Sequence, residues 1–189
     1  MERCVHTYKY NYLICNNLIF DKHAGFLTGH STVYQLIDLY HQIVQSFDTT
    51  THMCVIFCDI SKAFDRVRHK GLLFKLKQLG ITGRLHHGIS EYIKNRHQRV
   101  TIGQSCSSYR PVSAGVLQWS VRGPLLFLVY VNDITETRLS ITRLFADDTS
   151  RALTSSDIND LQGILNHDLE MYCMLVTNNL LILFLTKLW

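Results

Sequence analysis

Apolar residues recur along this chain at two spacings, which predict an alternation of strands and helices. Residues 53–58 are all apolar, as expected of a strand that is buried on both faces. The segment that follows Ser31 and Thr32, either of which suits a helix N-cap, has a helical repeat instead. The apolar face of this predicted helix comprises Val33, Leu36, Ile37, Tyr40, Val44 and Phe47.

Shorter patterns of the same two kinds cover the rest of the chain. Tyr8, Tyr10 and Tyr12 alternate with polar residues and predict a strand near the N-terminus. The other predicted elements are helices at residues 71–79, 85–93 and 157–172 and strands at residues 99–103, 108–112 and 180–185. We expect the strands at residues 99–103 and 108–112 to pair with each other. This order suits an α+β domain, in which helices cover one face of an antiparallel sheet.

Length and composition narrow the class of protein without identifying it. A chain of 189 residues with 47% hydrophobic residues suits one domain with an ordinary core. We expect no membrane partner, because no apolar run has the length of a membrane span and the N-terminus lacks a secretory signal. The six cysteines include no Cys-x-x-Cys pair, which fits a reducing intracellular compartment. A net charge of +4 does not by itself indicate nucleic-acid binding.

Two adjacent carboxylates, Asp147 and Asp148, interrupt an apolar segment and are the first candidates for chemistry. The pattern around them predicts a strand, a tight turn and a second strand. Like charges in a low-dielectric site are costly unless a proton or a cation neutralises one of them. On these two residues alone, a hairpin turn with both side chains in water is the somewhat better interpretation.

A third carboxylate, Asp59, follows the predicted strand at residues 53–58. A carboxylate at the end of a buried strand is well placed to meet others on a neighbouring strand, and three convergent carboxylates suit Mg²⁺. Two such ions about 3.5–4 Å apart support phosphoryl transfer. Asp59, Asp147 and Asp148 are therefore candidate metal ligands and catalytic residues. A solvated loop is the alternative, since loops also produce the charge spacing of residues 59–65.

Three motifs, in order, resemble those of the reverse transcriptase domain of non-LTR retrotransposons, the jockey-like LINE elements. They are DISKAFDRV at residues 59–67, SAGVLQWSVRGPLLF at residues 113–127 and FADD at residues 145–148. The resemblance extends over about residues 25–187. Each motif alone is a moderate signal, and the three together are highly specific.

The resemblance implies a polymerase palm with partial fingers and without a thumb. Residues 1–52 would be fingers-like, and residues 53–189 would form the palm with an inserted fingers segment. The implied activity is RNA-directed DNA synthesis, in which a deoxynucleoside triphosphate reacts with a primer 3′-hydroxyl at two Mg²⁺ ions, or Mn²⁺ as a substitute. The implied partners are an RNA template and a DNA primer, and the implied location of an active enzyme is the nucleus. The oligomeric state stays open.

The resemblance also assigns three residues to the incoming nucleotide. Phe64 would be a steric gate against a ribose 2′-hydroxyl, although a core aromatic is an equally good interpretation. Gln118 would contact the nucleotide. Lys187 would lie near the triphosphate, but an exposed lysine is the stronger interpretation because Phe184 and Leu185 replace the family's asparagine and proline.

The second motif departs from the family pattern at three positions. Leu117 replaces a proline, Trp119 a glycine and Arg122 a leucine. Glycine beside a nucleotide permits positive φ or close backbone approach, so we expect Trp119 to block the pocket and to weaken or abolish activity. Arg122 would be harmless in water and costly in the core without a partner. His30 stands where the fingers motif of the family has an arginine.

Two classes of function therefore stay open. One is a polymerase with intact carboxylates, and the other is a retroelement relic that binds nucleic acid or a partner without catalysis. A third, another two-metal phosphotransferase such as a cyclase, fits the Gln118 motif less well. Basic residues at 62–70 and 94–110 suit either a phosphate backbone or a solvated face.

Overall fold

The structure of the chain, a computed structural model, describes residues 2–118, 120–135, 140–179 and 181–188. Its helices are α1 (Glu2–Cys15), α2 (Thr32–Asp48), α3 (His69–Gln78), α4 (Gly83–Ile93), α5 (Gly123–Val131) and α6 (Ile158–Asn178). Its strands are β1 (His52–Ser61), β2 (His97–Gln98), β3 (Thr101–Ile102), β4 (Ser105–Cys106), β5 (Arg110–Pro111), β6 (Ile141–Phe145), β7 (Asp148–Ser155) and β8 (Ile182–Leu188). Short 3₁₀ helices at Phe64–Arg66 and Asn132–Thr135 follow β1 and α5.

A four-stranded antiparallel sheet, in the order β6-β7-β1-β8, lies at the centre of the fold. β1 pairs with β7 on one side and with β8 on the other, which confirms a strand at residues 53–58. The expectation that this strand is buried on both faces is wrong, because only one face lies in the core and Phe57 on the other face is 38% exposed. β6 and β7 form the predicted strand–turn–strand unit, with Phe145 opposite Asp148 across the turn. The antiparallel sheet and its helices confirm the α+β class.

The two faces of this sheet have different surroundings. Side chains alternate between the faces along a strand. Ile56, Cys58 and Ile60 of β1 lie in the core, and each is at most 2% exposed. On this face α6 lies against β1 and β7, and the apolar helix α5 is part of the same core. Phe57 and Asp59 point to the opposite face and are exposed. Helix α2 lies over part of that face, which leaves the sheet open beside Asp59.

A buried polar network joins α6 to the start of β7. Arg151 is 0% exposed, and its guanidinium lies 3.7 Å from Asp168 Oδ2 and 4.7 Å from the centre of the Tyr172 ring. Asp168 Oδ2 also accepts from the backbone N–H of Ser140 at 2.8 Å and from its hydroxyl at 2.5 Å. The Tyr172 hydroxyl donates to Thr149 Oγ1 at 2.9 Å. These contacts hold the strand that begins at the acidic turn against the core.

The N-terminal segment is a helix, so the strand predicted from Tyr8, Tyr10 and Tyr12 is wrong. α1 buries Lys9 and Leu13, which lie one helical turn apart on the same side. Tyr10 and Tyr12 pack against the core beside them, whereas Tyr8 is exposed. The alternation of tyrosines reflects contacts on different sides of a helix, and a pattern of only three residues cannot separate that from a strand.

The predicted pairing of residues 99–103 with residues 108–112 is also wrong. β3 pairs with β4, and β2 pairs with β5. The inner pair closes at Gly103, whose φ of +59 suits a tight turn. These strands have two residues each, so side-chain alternation is too short to fix the register.

Helix α2 begins as predicted but presents its apolar stripe to solvent. Ser31 is the N-cap, and its hydroxyl oxygen accepts from the N–H of Tyr34 at 3.4 Å. The helix turns Gln35 and the buried Ser46 towards the sheet instead. The exposed stripe comprises Val33, Leu36, Ile37, Tyr40, Val44 and Phe47.

No helix within the described ranges is both long enough and apolar enough to cross a membrane.

Removal of the Asp168 carboxylate should destabilise the fold strongly, because the buried Arg151 would lose the charge that neutralises it. We expect Asp168→Ala to lower the free energy of unfolding by about 3–5 kcal/mol, measured by urea denaturation. Glu170→Ala, at an exposed position of the same helix, should change it by less than about 0.5 kcal/mol. Equal losses in the two variants would contradict a stabilising role for the network.

Candidate active site

The turn between β6 and β7 carries the two adjacent carboxylates and has a fixed backbone. Ala146 has a φ of +56, a conformation that L residues seldom adopt, and the chain bends there at the acidic pair. Gly25 lies so close to this turn that an added Cβ would be 2.3 Å from the nitrogen of Ala146. The N–H of Ala24 donates to Leu144 O at 2.8 Å. The backbone of residues 24–25 thus packs directly against the turn. Residue 25 must be glycine, because any side chain there would clash with the turn.

The three candidate carboxylates lie at one end of the sheet but face two clefts. Cys58 of β1 pairs with Thr149 of β7, and Asp59 and Asp148 are the next residues beyond this pair. Asp59 and Asp148 line a cleft of about 460 Å³ between α2 and the sheet. Asp147 lines a second cleft, of about 500 Å³. We call the second one the motif cleft.

Electrostatic repulsion couples these three carboxylates. Burial raises the pKa of Asp147, and the negative charge of Asp59 raises it further. Burial also raises the pKa of Asp148, with added repulsion from Asp147 and from Asp59. The negative charge of Asp59 thus makes ionisation of Asp147 and Asp148 more costly, and a nearby cation would relieve this cost.

Asp59, Asp147 and Asp148 have side chains suited to a divalent cation, but they are not arranged as a complete set of metal ligands. Across the part of the chain that the structure describes, no three His, Cys, Asp or Glu side chains lie close enough together to hold a metal ion. The all-oxygen donors and their mutual repulsion nevertheless suit Mg²⁺. Asp59, Asp147 and Asp148 are the residues that could hold such an ion, and this assignment stays a prediction.

The motif cleft brings together residues from all three sequence motifs. Phe64 comes from the first motif, Gln118 from the second and Asp147 from the third. The N–H of Val116 donates to Phe64 O at 2.9 Å, which aligns the second motif alongside the first. Gln118, two residues beyond Val116, therefore emerges beside Phe64, and its side chain is exposed.

Phe64 belongs to the core and to the motif cleft at once. It is 8% exposed, and its ring stacks on Phe127 with the centroids 4.3 Å apart. The ring of Phe26 meets it at 5.9 Å in an edge arrangement. The core and nucleotide-contact interpretations of Phe64 are therefore compatible.

A tight turn around Ser120 shapes the second motif. The Ser120 hydroxyl donates to Leu117 O at 2.9 Å and accepts from the N–H of Gly123 at 2.9 Å. An added Cβ at Gly123 would lie 1.8 Å from Leu117 O, so this turn requires glycine there. The Leu117 side chain is exposed. Trp119, the residue expected to block the pocket, lies outside the described residues.

The structure places three further residues that the sequence singled out: Arg122, Lys187 and His30. Arg122 is half-buried, with its guanidinium 5.0 Å from the centre of the Tyr92 ring and no hydrogen-bond partner for Nε. Arg122 is thus neither fully in water nor without a partner in the core, because its guanidinium makes a cation–π contact. The backbone of Lys187 pairs with Ile56, while its side chain lies outside the described residues. His30 is exposed.

Two polar residues of α2, which the sequence did not single out, hold β6 in place. Gln35 Nε2 donates to Leu144 O at 2.9 Å and to Lys22 O at 3.0 Å. Asp38 Oδ2 accepts from Arg143 Nε at 2.8 Å and from its Nη2 at 2.5 Å. Polar residues of an amphipathic helix are usually taken to face water, so no signal in the sequence marks them.

Phe26 is a further residue of the motif cleft that sequence analysis missed. Its φ of +62 is an outlier for a bulky side chain, and such strain costs about 1–3 kcal/mol. Lys62 and Ala146, also near the acidic residues, have positive φ as well. Strain of this kind persists where the surrounding structure enforces it, and it clusters at functional sites. Residue type alone does not reveal it.

Neutralisation of Asp148 should stabilise the fold at neutral pH, because a raised pKa means that ionisation opposes folding. We expect Asp148→Asn to raise the melting temperature at pH 7 by about 1 °C, a small gain because the side chain is exposed and solvent screens the repulsion. The wild-type carboxyl becomes protonated as the pH falls through its raised folded pKa, so the difference should vanish in acid. Asp160→Asn, an exposed carboxylate of α6, should show no such gain. A gain that persists undiminished in acid would contradict this explanation.

Solved structures of a telomerase share this fold. The chain matches apo telomerase from Candida tropicalis, truncated from its C-terminal domain, with a TM-score of 0.61 and 13% identity over 98% of this chain and 40% of that chain. It matches the same organism's telomerase in complex with a fragment of telomeric RNA with a TM-score of 0.63 and 11% identity over 99% of this chain and 33% of that one. These matches confirm the expected polymerase architecture.

Relatives of the chain come from Drosophila melanogaster transposons. It is 34% identical over 148 residues to a probable RNA-directed DNA polymerase from transposon BS, and 36% identical over 129 residues to one from transposon X-element. The matches cover 74% and 66% of this chain but 16% and 14% of those relatives. The polymerase from mobile element jockey is 32% identical over 70% of this chain and 14% of its own length. The family model for reverse transcriptase (RNA-dependent DNA polymerase) matches residues 3–172, and the chain therefore belongs to the reverse transcriptase family, among the members from non-LTR retrotransposons.

Proposed function

We propose that this chain carries the nucleotidyl-transfer site of an RNA-directed DNA polymerase. One observation carries the proposal: Phe64, Gln118 and Asp147, one residue from each motif, line a single cleft. Asp59 and Asp148 lie at the same end of the sheet. A cleft of about 500 Å³ with an apolar wall and a few polar groups has the size and character of a small-molecule site. A nucleoside triphosphate with its cation suits these surroundings.

Asp59, Asp147 and Asp148 would hold two Mg²⁺ ions, for which Mn²⁺ could substitute. Such ions activate the attacking primer 3′-hydroxyl and stabilise charge on the leaving phosphates. The contribution of the chain itself is the arrangement of the carboxylates. Burial raises the pKa of Asp147 and Asp148, and the repulsion from neighbouring carboxylates that adds to this rise also favours the binding of a cation. The turn is braced before any ligand arrives, so little reorganisation accompanies the reaction.

Phe64 and Gln118 would bind and select the nucleotide. Phe64 is held from behind by its stack on Phe127, so it would not yield to a ribose 2′-hydroxyl. The exposed amide of Gln118 can both donate and accept hydrogen bonds. We extend the proposal to Lys187, which would approach the triphosphate on the pattern of the family.

The proposed substrates are deoxynucleoside triphosphates and a DNA primer on an RNA template. Arg96 stacks over Tyr92 at 4.7 Å, and Arg99 stacks over Tyr109 at 5.0 Å, close to the short strands β2, β3, β4 and β5. Basic and aromatic side chains of this kind suit phosphates and unpaired bases. We place the activity in the nucleus, where target DNA lies.

A folded relic that binds nucleic acid without catalysis is the second candidate. In its favour, the second motif carries Leu117, Trp119 and Arg122 in place of the family residues. Both candidates share the fold and differ in catalysis, so an activity measurement separates them.

Primer extension on an RNA template with Mg²⁺ tests the proposal. We expect the chain to extend the primer above an Asp147→Ala blank. The triple variant Leu117→Pro, Trp119→Gly, Arg122→Leu should extend it faster, because the proposed obstruction is removed. Extension by the triple variant alone would mean that the carboxylate site is sound and the second motif has decayed. Extension by neither would leave the relic.

Mg²⁺ alone should stabilise the folded chain, because a bound cation offsets the repulsion among the carboxylates. We expect the melting temperature to rise by a few degrees at a Mg²⁺ concentration well above the dissociation constant. Asp147→Asn should remove most of this rise, while Asp160→Asn on α6 should retain it. An equal rise in both variants would mean that the ion acts elsewhere, and the proposed metal site would be wrong.

A further inference from the structure

Phe26 is forced out of the core by its own backbone. Ala24 and Leu27 on either side are buried, at 5% and 8% exposed, and Gly25 lies against the turn at Ala146. With a φ of +62 between these anchored neighbours, Phe26 points away from the core and is 47% exposed. The fold therefore maintains a strained conformation that presents an apolar ring at the surface.

That ring lies in the motif cleft. The lining of the cleft combines the two aromatic residues Phe26 and Phe64 with polar groups of Gln118, Ser120 and Asp147. Phe64 is 8% exposed and offers little of its ring to a ligand, whereas Phe26 offers much more. The rings of Phe26, Phe64 and Phe127 contact one another in series, at centroid distances of 5.9 and 4.3 Å, so the exposed ring has a rigid support behind it.

We propose that Phe26 is the surface on which the base of the incoming nucleotide stacks. This inference rests on the proposed function, because it takes the cleft to be the nucleotide site. An aromatic face beside hydrogen-bonding groups suits a heterocyclic base, which has a π-face and polar edges. All four bases have such a face, so Phe26 would add affinity without choosing among them.

Nucleotide binding measured apart from catalysis tests this role. Equilibrium dialysis would give the Kd of each deoxynucleoside triphosphate for the chain on an RNA template with a dideoxy-terminated primer, in Mg²⁺. The loss of one stacking partner should weaken binding roughly 5- to 150-fold in Phe26→Ala, to a similar extent for all four bases. Phe26→Tyr should bind like the parent chain, and Phe26→Leu, which is apolar but not aromatic, should bind weakly. Tripolyphosphate, which has no base, should bind equally to all of them.

The controls separate stacking from a general loss of structure. Phe74→Ala removes an exposed phenylalanine of α3 outside the motif cleft and should leave every Kd unchanged. Thermal unfolding of each variant shows whether it is folded, and Phe26→Tyr retains an aromatic ring at the strained position. All measurements are repeated in the Trp119→Gly background, in which the expected obstruction is absent.

Three results would overturn the inference. They are equal affinity of Phe26→Ala and its parent for the four nucleotides, an equal loss of tripolyphosphate binding, and no nucleotide binding in either background. Primer extension decides the proposed function separately. Extension with unchanged affinity in Phe26→Ala would overturn the role of Phe26 and leave the polymerase intact. Phe26-dependent binding without extension would support the stacking role and overturn the polymerase.

Discussion

The antiparallel pairing of β1 with β7 is the constraint on which the site depends. Asp59 and Asp148 are far apart in the sequence and become neighbours because Cys58 pairs with Thr149. A slip of one residue would turn Asp59 towards the core. The core opposes such a slip, since it buries the alternate residues of β1, and the network around Arg151 fixes β7 from behind. Stability and the position of the carboxylates thus come from the same pairing.

The second constraint is the brace that residues 22–38 build around β6 and the acidic turn. Gln35 and Asp38 reach the strand through hydrogen bonds and an ion pair, and Gly25 closes against the turn. Because these are directed polar contacts and a backbone contact, they fix the position of the turn more tightly than an apolar surface would. Helix α2 is consequently oriented by its polar residues, and its apolar stripe stays in solvent.

The site departs from the lowest-energy choice in two ways. Carboxylates share one end of the sheet, where burial and then mutual repulsion raise the pKa of Asp147 and Asp148. Phe26, Lys62 and Ala146 have positive φ close by. The surrounding structure enforces both departures, and departures of this kind are typical of functional sites.

The sequence by itself determined the fold class, the strand β1, the strand–turn–strand unit at the acidic pair and the three motifs, because hydrophobic periods, turn residues and motif spacing are local. It failed for α1, because a pattern of three tyrosines does not distinguish a helix from a strand. It also failed for the pairing of β2, β3, β4 and β5, because strands of two residues have too little periodicity. The tertiary structure alone decided which residues line the motif cleft together, that α2 exposes its apolar stripe and that Phe26 is strained into the motif cleft. These features arise from contacts between distant segments, and no local pattern encodes a contact whose partner is chosen by the folding of the whole chain.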